Sequence, residues 1–246
     1  MICNNILEAM GNTPLIRLNR ITDDDSAEIL VKFEGLNVGG SIKTRTAFNM
    51  IRDAEEKGLI NKDTIIVEPT SGNQGIGIAL VAAVRGYRVK IIMPDSVSEE
   101  RRKLVRQYGA DVVLIHDRGD IGECIRECLS VAMQMQKDHP NVFVPHQFEN
   151  PANPAIQKDG TGAEILQQVN RPIHGFCSGA DSKFAHYPYH GYYGIDYTNM
   201  DANMGTKEEF KDLPYVILGH SMGSFMTQTI LQKYPKISRH HQLHSY

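Results

Sequence analysis

The chain has 246 residues, of which 41% are hydrophobic and 22% charged, and a net charge of −3. That is enough chain for one large domain or two small ones with a real core. The slight acidity excludes a dedicated nucleic-acid binder, which would carry a basic surplus or stripe. No apolar run approaches a membrane span. The opening MICNNILEAMGNTP lacks a basic segment followed by an apolar one, so no secretory signal is expected and a cytoplasmic location is.

In chain order, EILVKFE (28–34) reads as a short strand, and KTRTAFNMIRDAEEKGLI (43–60) as a helix closed by Gly58. TIIVEP (64–69) is a strand, GNQGIGIALVAAVRG (72–86) a helix of small residues ending at Gly86, and RVKIIMP (88–94) a strand. SEERRKLVRQYG (98–109) predicts a helix with Ser98 as N-cap and acids in its first turn. DVVLIH (111–116) is a strand, IGECIRECLSVAMQMQKDH (121–139) a helix, NVFVPHQF (141–148) a strand, and a last helix opens in DGTGAEILQQV (159–169). Short strands rich in Val and Ile alternate with helices from residue 64 onward. This is the pattern of an α/β fold, an open parallel sheet with helices on both faces.

The four cysteines (Cys3, Cys124, Cys128, Cys177) are scattered. Cys124 and Cys128 share a helix face, but no second ligand pair has matching spacing, so reduced cysteines are expected and no metal site.

Two stretches carry chemistry. In GLNVGGSIKTRTA (35–47) a Gly-Gly-Ser turn delivers Lys43 to the start of a helix. The positive end of the helix dipole there favours a neutral amine, the form a Schiff-base lysine needs. The same lysine also reads as an ordinary first-turn residue facing water, and the motif alone leaves both open. EPTSGNQGIGIA (68–79) follows a strand and opens a helix. Its free backbone amides suit an anion, and Thr70, Ser71 and Asn73 add donors at the end of a strand, where open α/β sheets bind ligands.

With NTPLIRL (12–18) before them and HQFENPANP (146–154) after, these two motifs resemble the cysteine synthase (O-acetylserine sulfhydrylase) and cystathionine β-synthase family, fold-type-II pyridoxal-phosphate enzymes, over residues 7–180. The resemblance implies that Lys43 binds the pyridoxal 5'-phosphate cofactor covalently and moves protons, and that Asn73 hydrogen-bonds its ring hydroxyl. Thr70, Ser71, Gly72 and Gln147 would hold the substrate carboxylate. The implied reaction removes acetate or another leaving group from a β-substituted serine and lets sulfide or a thiol take its place. A homodimer is also implied. So is a domain plan of one region over 1–180, with a smaller domain of about 44–150 inserted in it.

The chain departs from the family pattern at three places. Val38 replaces a proline and should loosen the turn before Lys43. Thr44 replaces an acid and removes a charge beside it. After FCSGA (176–180) the family runs into a Gly-Thr-Gly-Gly-Thr loop for the cofactor phosphate, whereas here the chain continues DSKFAHY, and Asp181 puts a negative charge where a dianion should sit. Eight of the ten tyrosines and six of the ten histidines lie beyond residue 180.

Residues 181–246 form a separate segment in this reading. VILGHSMGSF (216–225) resembles the nucleophile elbow of α/β-hydrolases of the lysophospholipase kind, with Ser221 as nucleophile. No Asp or Glu follows Met222 to orient His240, His241 or His244, so a working triad is not expected. The expectation is a chimera: a truncated pyridoxal-phosphate enzyme whose activity is impaired by the missing phosphate loop, joined to a non-homologous segment. A serine esterase using Ser221 and a non-catalytic fragment are the alternatives.

Overall fold

The runs of Val and Ile do form strands. In a computed structural model, which describes residues 2–20 and 28–173, four of them make a parallel sheet. The described residues divide into two compact units, those of Met1–Gly11 with Gly35–Gly160, and those of Asn12–Glu34 with the described residues from Thr161 onward.

The first unit holds α1 (Lys43–Glu56), β3 (Ile65–Pro69), α2 (Asn73–Arg85), β4 (Arg88–Pro94), α3 (Glu99–Gln107), β5 (Asp111–Ile115), α4 (Ile121–Asp138), β6 (Val142–Phe143) and α5 (Ala152–Ile156). The strand order is β5-β4-β3-β6. Alternation along the strands divides the core in two. Ile66, Ile91 and Met93 pack with α1, α2 and α3, while Val67 and Ile92 pack with Cys124, Cys128 and Ala132 of α4. Helices therefore cover both faces. Burial pushes the Cys128 thiol up to about 12, so this free cysteine stays an unreactive core residue.

Helices α1 and α2 stop for one local reason. Gly58 (φ +66°) and Gly86 (φ +81°) adopt the left-handed conformation that glycine takes without strain. The following amides turn back onto the helix, Leu59 N–H to the Ala54 carbonyl at 2.9 Å and Tyr87 N–H to that of Ala82 at 3.0 Å. Ser98 does occupy the N-cap position of α3, but its side chain makes no capping bond; Asp120 caps α4, accepting from Glu123 N–H at 3.0 Å.

The strand expected over 28–34 is shorter, Leu30–Lys32, and two further boundaries differ from expectation. β6 ends at Phe143, not at residue 148, because His146 turns into the left-handed region (φ +55°) and its carbonyl accepts from the Glu149 and Asn150 amides. Helix begins at Ala152, not Asp159, and is interrupted by a wide turn over Gln157–Gly162 before α6 (Ala163–Val169).

In the second unit, β1 (Leu15–Arg17), a strand not expected from the sequence, pairs antiparallel with β2 (Leu30–Lys32). Leu30 packs with Ile165 and Val169 of α6. The buried Lys32 ammonium donates to the Thr13 carbonyl (2.6 Å), Glu164 (2.7 Å) and Gln168 (3.0 Å), which satisfies all three of its hydrogens. Among the described residues no helix is long and apolar enough to cross a membrane.

The tightest approach in the first unit is between α1 and α2. A Cβ placed on Gly77 would lie 2.7 Å from the Lys43 carbonyl oxygen and 3.1 Å from Ala47 Cβ. Replacing a mid-helix glycine by alanine ordinarily gains about 1 kcal/mol. Here overpacking, at about 1–3 kcal/mol, reverses the sign. Gly77→Ala should therefore lower the urea midpoint of unfolding; a raised midpoint would show that the helices stand further apart.

Candidate active site

The sheet order creates the site. From β3 the chain moves outward through α2 to β4 and through α3 to β5, then returns through α4 to β6 on the other side of β3. The order reverses between β3 and β6, and ligands of open α/β sheets bind beyond the carboxyl ends of strands at such a point. The Thr70–Asn73 turn follows β3 there, and Gln147 lies on the segment after β6.

Lys43 arrives from α1. Asn37 closes the preceding turn twice, its carbonyl accepting from Gly40 N–H at 2.7 Å and its side chain from Val38 N–H at 3.0 Å. The turn is thus held by hydrogen bonds without the proline. Lys43 N–H then bonds Ser41 Oγ at 3.3 Å. Thr44 is fully buried, and its hydroxyl sits where a side chain on Gly39 would be, 2.1 Å from the Cβ position. Only glycine leaves room for it.

The Lys43 side chain does not face water; it is 8% exposed. Burial brings its amine down to about 7, against the opposing pull of the Glu68 carboxylate. Glu68, at the end of β3 and 1% exposed, is pushed up to about 8 by burial, with Lys43 and Gln147 acting the other way. Its Oε1 accepts from Gln147 Nε2 at 2.7 Å, and its Oε2 is buried without a hydrogen-bond partner. Gln147 is held from behind by Asn153, which is 1% exposed. The Asn153 amide donates to the Gln147 carbonyl at 2.8 Å and accepts from Thr46 Oγ1 of α1 at 3.0 Å.

Of the residues singled out from sequence, the structure thus brings Lys43 and Gln147 to a common neighbour, Glu68. Thr70 is buried and braces its own turn: Gly72 N–H donates to its Oγ1 at 3.2 Å, and its N–H donates to the Ile92 carbonyl at 2.9 Å. Ser71 is exposed, with its carbonyl 3.4 Å from Arg101 Nη1. Asn73 is exposed at the first position of α2. Next to it, Gln74 is buried with both amide atoms unpartnered. Ser221 and the histidines near it lie outside the described residues, as does Asp181.

Glu68, Asn153 and Gln74 escaped the sequence reading. The signal for Glu68 was present, a lone acid in the otherwise apolar strand TIIVEP. Asn153 lies between two prolines and had none.

A parallel sheet with a buried lysine of lowered proton affinity near its switch point makes that amine the candidate reactive group of an α/β fold. The chain matches the family model "Pyridoxal-phosphate dependent enzyme" over residues 6–182 and belongs to that family. It is 49% identical over 164 residues to a cysteine synthase from a Flavobacterium species, covering 66% of this chain and 52% of that one. Among solved structures it is similar to a hydrogen sulfide-producing enzyme from Fusobacterium nucleatum, with 42% identity, a TM-score of 0.66, and coverage of 73% of this chain and 57% of that one. It is also similar to O-ureido-L-serine synthase, with 37% identity, a TM-score of 0.68, and coverage of 78% and 57%. The chain thus spans about half the length of the curated relatives it matches. Its fold is that of the fold-type-II pyridoxal-phosphate enzymes.

The buried pair fixes a pH dependence. Glu68 is raised from 4.5 to about 8, so across that window the folded chain holds a proton that the unfolded chain has lost, and stability falls as pH rises. Lys43 is lowered from 10.5 to about 7, so its contribution is present above 10.5 and is lost as pH falls towards 7. Between pH 5 and 8, Glu68→Gln should flatten the decline in urea-unfolding free energy relative to the unmodified chain. Equal slopes would contradict the buried, proton-holding Glu68.

Proposed function

We propose that this chain carries the lysine and substrate-carboxylate half of a pyridoxal-phosphate enzyme that performs β-replacement on O-acetylserine or a similar β-substituted serine, giving cysteine. The observation that carries this reading is the Lys43 amine, buried and lowered to about 7, at the switch point of a family member's sheet. A neutral amine is the nucleophile that an aldehyde cofactor requires, and an exposed lysine would be almost wholly protonated at neutral pH.

The residues present fit the cofactor's reacting end. Lys43 would hold it, and Asn73, exposed at the start of α2, would hydrogen-bond its ring hydroxyl. The unpartnered Gln74 amide and Glu68 Oε2 are polar groups whose desolvation is not offset by the protein alone, as expected where a polar guest completes the site. When bound, the cofactor supplies an electron sink at the substrate's α-carbon.

The chain's own residues do the rest. The Ser71 amide, at the head of α2, would offer its N–H and the positive end of the helix dipole to the substrate carboxylate, beside the Gly72 N–H that braces the turn through Thr70 Oγ1. The Thr70 hydroxyl and the second N–H of the Gln147 amide complete its surroundings. The Lys43 amine would be the base that removes and returns the substrate's α-proton, and its lowered proton affinity suits that task.

Relatives support the substrate class. One is a cysteine synthase and another a synthase of O-ureido-L-serine, a serine substituted at its β-oxygen. Sulfide or a thiol is the acceptor in this reading. The family's homodimer and a cytoplasmic location belong to the same proposal. So does impaired cofactor retention: where the family places its phosphate loop, this chain has Asp181.

Mixing the chain with excess pyridoxal phosphate should produce a near-violet absorbance band that Lys43→Ala abolishes. Asn73→Ala should weaken uptake about 10-fold, the worth of one hydrogen bond of about 1.4 kcal/mol. Unphosphorylated pyridoxal should bind within a few-fold as well as pyridoxal phosphate. A band that persists in Lys43→Ala would sink the assignment of Lys43. A strong preference for the phosphorylated form would sink the impairment. Formation of cysteine from O-acetylserine and sulfide, lost by at least about 100-fold in Lys43→Ala, tests the reaction itself.

A further inference from the structure

We propose that Asn153 is a positioning residue of this site. Its side-chain amide ties the main chain of Gln147 to the side of α1 that carries Lys43, and so sets where Gln147 stands when a substrate carboxylate arrives. This deepens the reading of the site above and rests on it for its catalytic meaning, though not for its test by hydrogen exchange.

The tie is a run of three hydrogen bonds that all point one way. Gln157 Nε2 donates to Thr46 Oγ1 at 3.2 Å, Thr46 Oγ1 donates to Asn153 Oδ1 at 3.0 Å, and Asn153 Nδ2 donates to the Gln147 carbonyl at 2.8 Å. Asn153 and Thr46 are each 1% exposed, so water is no substitute for either partner. A second rung lies beside the first, with Asn49 Nδ2 donating to the Ala152 carbonyl at 2.6 Å. Thr46 follows Lys43 by three residues and Asn49 follows Thr46 by three, so these side chains climb one side of α1. The side of the helix that delivers the amine thus also grips the segment that delivers the amide.

Asparagine meets both demands made at position 153, a donor for the carbonyl and an acceptor for the hydroxyl. A carboxylate there would set an anion against the Gln147 carbonyl. An apolar side chain would leave that carbonyl and the Thr46 hydroxyl unpaired in a dry place. The grip is needed because β6 ends at Phe143, so Gln147 is held by side chains rather than by the sheet. At its other end Gln147 Nε2 donates to Glu68 Oε1 at 2.7 Å. Held at its main chain from α1 and at its side chain from β3, Gln147 has little freedom to lose on meeting a substrate.

Peptide-resolved hydrogen exchange on the full chain needs neither cofactor nor substrate. Thr46→Val replaces the hydroxyl by a methyl of like shape and removes the donor to Asn153. Amides of residues 147–153 should then exchange about 10-fold faster while those of β4 and α4 keep their rates, and Thr46→Ser should keep the original pattern. Unchanged exchange over 147–153 in a folded Thr46→Val, or equal quickening throughout the chain, would overturn the proposal. With pyridoxal phosphate added, O-acetylserine is titrated against the near-violet band. Thr46→Val and Asn153→Asp should raise its half-saturating concentration about 10-fold while cofactor uptake stays within about two-fold, a split that general loosening of the fold would not give. Equal half-saturation in a variant whose exchange has quickened would also overturn the proposal. A chain that takes up no cofactor would strike the functional reading, and hydrogen exchange would decide the tie by itself.

Discussion

Everything at the site depends on how closely α1 can lie against α2. The Lys43 carbonyl and Ala47 occupy the space where any side chain at Gly77 would stand. Small residues along α2 let two helix backbones meet at a distance that larger side chains would forbid. Lys43 is the first residue of α1, so this contact is made at the end of the helix that carries the amine. Had α2 carried a larger residue at that level, α1 would ride outward and its first lysine would regain water. Burial, and with it the lowered proton affinity of Lys43, is thus a consequence of backbone packing.

The same burial makes Glu68 intelligible. A carboxyl with 1% exposure at the end of a central strand is costly for a protein that needs only structure. It is tolerated because two other groups share the cost, the Gln147 amide through a hydrogen bond and Lys43 through charge. The topology explains why these three meet. β3 lies between strands reached in opposite directions, and the segments leaving β3 and β6 converge beyond the sheet. A lysine from the preceding helix, an acid from the first strand and an amide from the last are brought to one place although 104 positions separate Lys43 from Gln147.

Much of this was legible in the sequence, for local reasons. Strands such as RVKIIMP and helices closed by Gly58 and Gly86 announce themselves through periodicity and a single left-handed residue. The position of Lys43 at a helix start followed from the Gly-Gly-Ser turn. Its burial did not follow, because that depends on Gly77, far along the chain and unremarkable within a run of small residues. The region 146–154 misled for a different reason. The strand expected to reach residue 148 stops at Phe143, and helix starts at Ala152 rather than at 159, with Pro151 just before it and Pro154 within its first turn, where the missing N–H would be unpaired in any case. β1 is three residues long and largely exposed, too short to show an alternating pattern. The cofactor and the substrate came from family resemblance, since a buried lysine beside a glutamate does not by itself name either.

The most direct measurement is to add pyridoxal phosphate to the chain, reduce with borohydride, digest, and locate the phosphopyridoxyl group by mass spectrometry. The account predicts a single dominant label on Lys43, present at neutral pH and in excess over the exposed lysines such as Lys57 and Lys103. Label spread evenly over surface lysines, with Lys43 unmarked, would contradict it.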